Sequence, residues 1–139
     1  MDSDKHADIE KLIAKYARAA GAHGRGTVEG NSRLANRNYD KIIDALRELD
    51  QQSTDGRKVL RRLYFHQDPA VRVWAATHLI EMDTEGAVRV LREVAEHSGM
   101  IGFGAEMVLK EWEAGRLKIP GAGKVSSYVL VPRPGSVRP

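Results

Sequence analysis

The 139-residue sequence contains no cysteine. That excludes disulfides, thiolate metal sites and cysteine nucleophiles, and such a chain is expected in the cytoplasm. Long apolar runs are missing too, so no segment is expected to span a membrane. The opening Met1-Asp2-Ser3-Asp4 is acidic and lacks the apolar core of a secretory leader. Metal-ligand spacing is also wanting. His78 and Glu81 lie three apart but no second histidine joins them, and His6, His23, His66 and His97 are scattered. No metal and no cofactor are expected.

Recognisable catalytic motifs are equally scarce. Gly121-Ala122-Gly123-Lys124 resembles part of a phosphate loop, but Lys118 and Val125 stand where that loop needs Gly and Ser or Thr. It reads as a linker. No serine sits in a nucleophile-elbow context, and the carboxylate pairs Asp40/Asp44, Glu93/Glu96 and Glu111/Glu113 fit solvated helix faces. The expectation is a protein that is not an enzyme.

Carboxylates are absent from residues 116–138, which carry Arg116, Lys118, Lys124, Arg133 and Arg138. Residues 1–114 hold 17 cations against 19 carboxylates, so the net charge of +3 belongs to the tail and the body is nearly neutral. A nucleic-acid binder is usually basic on its folded face, which weighs against that class.

What is present is helical periodicity. Ile9, Leu12, Ile13, Tyr16, Ala17 and Ala20 recur at helical spacing, with Ser3 or Asp4 available as cap. Gly21, Gly24, Gly26 and Gly30 then read as a loose connection over 21–30. A second helix from about Ser32 carries Leu34, Ala35, Tyr39, Ile42, Leu46 and Leu49, and a short third carries Val59, Leu60, Leu63 and Tyr64. Asp68 is an N-cap and Pro69 suits the first helical position, opening a helix to Met82 that is apolar nearly all round and therefore central. Asp83-Thr84 caps a fifth helix, Gly99 stops it, and a sixth from Ile101 ends at Gly115. In the tail, Ser127 to Val131 is the only stretch with strand character.

The helices repeat. A shift of thirty residues aligns Val73 with Phe103, Ala75 with Ala105 and Leu79 with Leu109, and Ile43, Ala45 and Leu49 fall on the same register. A shift of thirty-one aligns Leu60 with Leu91 and Leu63 with Val94. A helix pair recurring at this period is the mark of an α-solenoid. The expected fold is all-α, about six antiparallel helices in pairs over residues 1–115, followed by a basic Pro/Gly-containing tail over 116–139.

Asp68-Pro69-Ala70-Val71-Arg72-Val73-Trp74-Ala75-Ala76 resembles the second-helix signature of HEAT repeats. With Ile101-Gly102-Phe103-Gly104-Ala105-Glu106-Met107 and Glu111-Trp112, the stretch over about 5–117 is similar to a small bacterial HEAT/armadillo-like family known as domain of unknown function two-thousand-nineteen. The resemblance implies an α-solenoid. Small bacterial HEAT-like proteins include immunity proteins that block toxins, which suggests a stoichiometric, antitoxin-type binder.

Candidate partner-binding residues follow from charge. Arg57, Lys58, Arg61 and Arg62 form two cation pairs at i, i+4, with Arg89 and Arg92 in the next repeat. Arg72 and His78 are expected on the exposed edge of the central repeat. The leading expectation is a non-enzymatic protein-binding module whose partner is acidic. The alternative is a nucleic-acid-binding HEAT-like protein of the DNA-repair type, using the basic strip and tail.

Overall fold

The computed structural model describes residues 2–121 of the backbone, with side chains from His6 onward. The strand-like Ser127–Val131, the Gly123-Lys124 pair and the tail cations Lys124, Arg133 and Arg138 lie outside the described residues. Within them the chain is all-helical. In order come α1 (Asp2–Glu29), α2 (Ser32–Gln52), a 3-10 helix (Gly56–Phe65), α3 (Pro69–Leu79), α4 (Thr84–Ala95) and α5 (Met100–Glu113). No helix among the described residues is long and apolar enough to cross a membrane.

The first correction concerns residues 21–30, of which 21–29 are the last turns of α1 rather than a loop. Its glycines serve close approach between helices. A Cβ on Gly24 would lie 2.5 Å from the Cβ of Ala70, and one on Gly26 would lie 2.8 Å from the backbone nitrogen of Ala35. α1 therefore presses its C-terminal half against α3 and the start of α2. The turn after it is short: Gly30 takes φ 71°, and Asn31 caps α2 by accepting from the Leu34 N–H at 3.0 Å. Asn38, further along the same polar run, donates to the Leu34 carbonyl at 2.9 Å. A connection this short makes α1 and α2 antiparallel.

The second correction concerns the third helix, whose backbone follows the 3-10 pattern throughout Gly56–Phe65. Three residues per turn stack side chains at i and i+3. Arg57, Leu60 and Leu63 accordingly share one face, and all three are buried. Gly56 is needed at the start because a Cβ there would fall 1.7 Å from the Leu49 carbonyl oxygen.

α3 is the centre of the domain, touching α1, the 3-10 helix, α4 and α5. Asp68 caps it as expected, accepting from the Ala70 N–H at 3.0 Å with Pro69 in the first turn. It ends at Leu79, earlier than the apolar pattern to Met82 implies; Met82 lies beyond it and is exposed. Asp83 caps α4 through the Gly86 N–H at 3.3 Å. Gly99, at φ 96°, separates α4 from α5, and Gly115, at φ 71°, follows α5.

Positions matched by the thirty-residue register share burial: Ala45, Ala75 and Ala105 are fully buried, as are Leu49 and Leu79, with Leu109 nearly so. Val73 is half-buried against the core, whereas its counterpart Phe103 is 57% exposed on the last helix. Beyond α5 the chain folds back. Ile119 joins the core, and Leu117 packs against it.

Candidate partner-binding groove

The 3-10 helix and α4 border a groove of about 860 Å³. The 3-10 period decides which side chains reach it. Lys58 and Arg61 share one ridge and Arg62 and Phe65 another, because in each case the two residues are three apart. All four are exposed, and Phe65 is 83% exposed, a whole aromatic ring beside three cations. Arg89 reaches the same groove from α4.

Carboxylates interleave with these cations. Asp83, Glu85 and Glu93 line the groove as well. Asp83 receives the Tyr64 hydroxyl at 3.1 Å and pairs with Arg61 at 3.5 Å, while still capping α4. Burial and this neighbouring carboxylate push the Tyr64 phenol well above its ordinary range. Arg62 bonds Glu10 across from α1, and that hydrogen bond holds the Glu10 carboxyl below its usual value. Lys58 and Arg89 have no ion pair among the described residues. The groove thus presents two cations without an ion pair together with an exposed phenyl ring.

Two residues expected to face a partner, one on the basic strip and one on the edge of the central repeat, are buried instead. Arg57 is 6% exposed. Its guanidinium grips Asp50 with both arms, Nε to Oδ1 at 2.9 Å and Nη2 to Oδ2 at 2.5 Å. It also donates to the carbonyls of His78 at 3.3 Å and Pro120 at 2.8 Å. A planar five-donor group suits this task where an ammonium would not. Arg57 ties the end of α2, the end of α3 and the returning segment together, and is a structural clamp rather than a docking residue.

His78 is the other buried residue. It is 1% exposed, and its Nδ1 lies 2.6 Å from the Tyr16 hydroxyl. Burial, aided by the Arg57 cation, lowers its pKa to about 3, so the ring is neutral at pH 7. The expectation of an exposed edge fails because α3 is covered on several sides, His78 lying under α1.

Arg72 is half-buried and internally committed. Its Nε donates to the Tyr64 carbonyl at 2.7 Å and its Nη2 to Glu93 at 2.6 Å. These two bonds tie α3 to the 3-10 helix and to α4. It braces one wall of the groove and leaves little of its charge for a partner.

Phe65 was invisible as a site residue because α-helical templates place it beside the apolar stripe, where a lone aromatic draws no notice. An exposed aromatic one position past a buried pair, Leu63 and Tyr64, is the signal that marks it. Among the described residues no group of three or more His, Asp or Glu could hold a metal ion. Comparison with protein-family models, with curated proteins and with solved structures finds no match.

Proposed function

We propose that the chain is a non-enzymatic, HEAT-like protein-binding module of the immunity or antitoxin kind, which holds an acidic segment of a partner protein in the groove beside Phe65. The observation that carries this reading is Phe65 itself, 83% exposed in a groove that Lys58 and Arg89 also line. Aromatic and cationic side chains together are the usual anchors of protein interfaces. An apolar side chain of the partner would cover the ring, and a carboxylate on either side would meet Lys58 or Arg89. The HEAT-like arrangement draws support from the shared burial at the thirty-residue register and from the Arg72 bridge.

The nucleic-acid alternative finds less support. Arg57, Arg61, Arg62 and Arg72 are each already paired with a carboxylate, which leaves few free cations for a run of phosphates.

Phe65→Ser and Lys58→Glu, each in the full chain, provide the test. Both side chains are exposed, so stability should change by no more than about 0.5 kcal/mol. A partner captured stoichiometrically by the wild type after nuclease treatment, and lost by both variants, supports the groove. Undiminished capture by both variants refutes it, and capture that disappears with nuclease favours nucleic acid instead.

A further inference from the structure

A second cavity, of about 280 Å³, lies on another side of α3, between α1 and α5 and under the returning segment. Its walls are mostly apolar: Trp74, Ile101 and Val108 contribute, and Gly104 leaves one wall low. Two imidazoles also line it, those of His23 and His78. In each ring the Nε2 atom is buried and has no hydrogen-bond partner among the described residues. A buried, unpaired polar atom is costly, and two of them on one apolar cavity need an explanation.

Trp74 stands between the two histidines. Its ring meets His23 edge to face at a centroid distance of 5.0 Å and lies 5.4 Å from His78. Behind His78, Tyr16 occupies Nδ1. That leaves only Nε2 of His78 for the cavity, as donor or as acceptor depending on which way the Tyr16 bond runs. Burial lowers the pKa of His23 as well as that of His78, so both rings are neutral at pH 7.

We propose that this cavity is a binding site for a compact, neutral aromatic molecule of bicyclic size bearing one hydroxyl group. The size follows from volume: a cavity of about 150 Å³ holds benzene, and this one is nearly twice as large. Aromatic character follows from the Trp74 and imidazole walls, which favour edge-to-face and offset stacking. A hydroxyl follows from the unpaired nitrogens, because it both donates and accepts and so satisfies either tautomer of His78 or His23. Neutrality follows from the uncharged rings and the mostly apolar walls; Lys118, the one charged residue of the lining, is exposed to solvent. The site is separate from the groove beside Phe65, and neither reading depends on the other.

The test is a titration of the full chain with 2-naphthol and with naphthalene, followed through the histidine side-chain nitrogens and the indole resonance of Trp74. Gly104→Leu serves as the blocking variant. A Cβ at Gly104 meets no atom within 4 Å, and leucine is the better helix former, so this variant should fold. The expected result is saturable 1:1 binding of 2-naphthol with a dissociation constant below about 100 µM. The Nε2 resonance of His78 or His23 should shift, naphthalene should bind about tenfold more weakly, and Gly104→Leu should lose binding. Absence of saturable binding overturns the proposal. So does binding unchanged in Gly104→Leu, or equal affinity for the two probes. Contacts between Trp74 and the side chains of Tyr128 to Val131 in the free protein also overturn it, by giving the cavity to the chain's own C-terminal segment.

Discussion

Acidification should weaken the fold through His78. The imidazole titrates at 6.5 when exposed and at about 3 when folded, because burial and then the Arg57 cation disfavour its charged form. Between those values the unfolded chain binds the proton and the native one does not. The contribution is therefore complete above pH 6.5 and is lost as pH falls toward 3. Linkage puts the loss at about 2 kcal/mol by pH 5 and about 3 kcal/mol by pH 4, against a total stability of roughly 5–15 kcal/mol for a domain. The groups facing the ring are the Tyr16 phenol from α1, Trp74 on its own helix and the Arg57 guanidinium, and none changes charge in this window. The assay is urea unfolding at pH 7 and pH 5 for the wild type and for His78→Gln, which can still hydrogen-bond Tyr16 but cannot titrate. His23 has a lowered pKa too, but it is common to both proteins and cancels. The wild type should lose about 2 kcal/mol more than the variant between the two pH values. Equal losses, within about 0.5 kcal/mol, would refute the assignment.

Other perturbations separate the two roles of the cations and the purpose of the α1 glycines. Arg57→Met should cost about 3 kcal/mol, because it removes the two-armed bond to Asp50 and leaves two carbonyls short of a donor; Lys58→Ala, one residue on, should cost under about 0.5 kcal/mol in the same denaturant series. Gly24→Ala should destabilise by about 1–2 kcal/mol, although alanine is the better helix former, since its Cβ would sit 2.5 Å from that of Ala70. A neutral or stabilising result in thermal melts would mean that α1 and α3 are not in close contact there. Asp68→Ala should cost about 1 kcal/mol through loss of the α3 cap, read from the shift in urea midpoint.

The Arg57–Arg62 segment shows how far a sequence template reaches. Its cations were legible, but the faces were assigned on an α-helical period of 3.6. The backbone there runs at three residues per turn, and this rotates Arg57 inward over Leu60 and Leu63 while bringing Phe65 and Arg62 onto one exposed ridge. The same limit governs α1. Glycines at 24 and 26 break helices when exposed, and only the presence of Ala70 and Ala35 opposite them makes the missing Cβ an advantage. The burial of His78 is not legible in the sequence, because a lone histidine among apolar neighbours carries no sign of whether a tyrosine sixty-two positions away will meet it.

By itself the sequence determined the helical class, the starts of α3 and α4 at Asp68-Pro69 and Asp83-Thr84, the central place of α3 and the apolar register that recurs every thirty residues. These are local matters: capping chemistry and the spacing of apolar side chains act within a few residues of one another. Only the tertiary structure decided that α1 runs unbroken through its glycines, that Arg57 and His78 are buried, that Phe65 stands in a groove, and that two histidines share a cavity with Trp74. Each of these depends on which distant surface arrives opposite a given side chain. A one-dimensional pattern records how a face is composed, and the partner that covers or exposes it is set by packing.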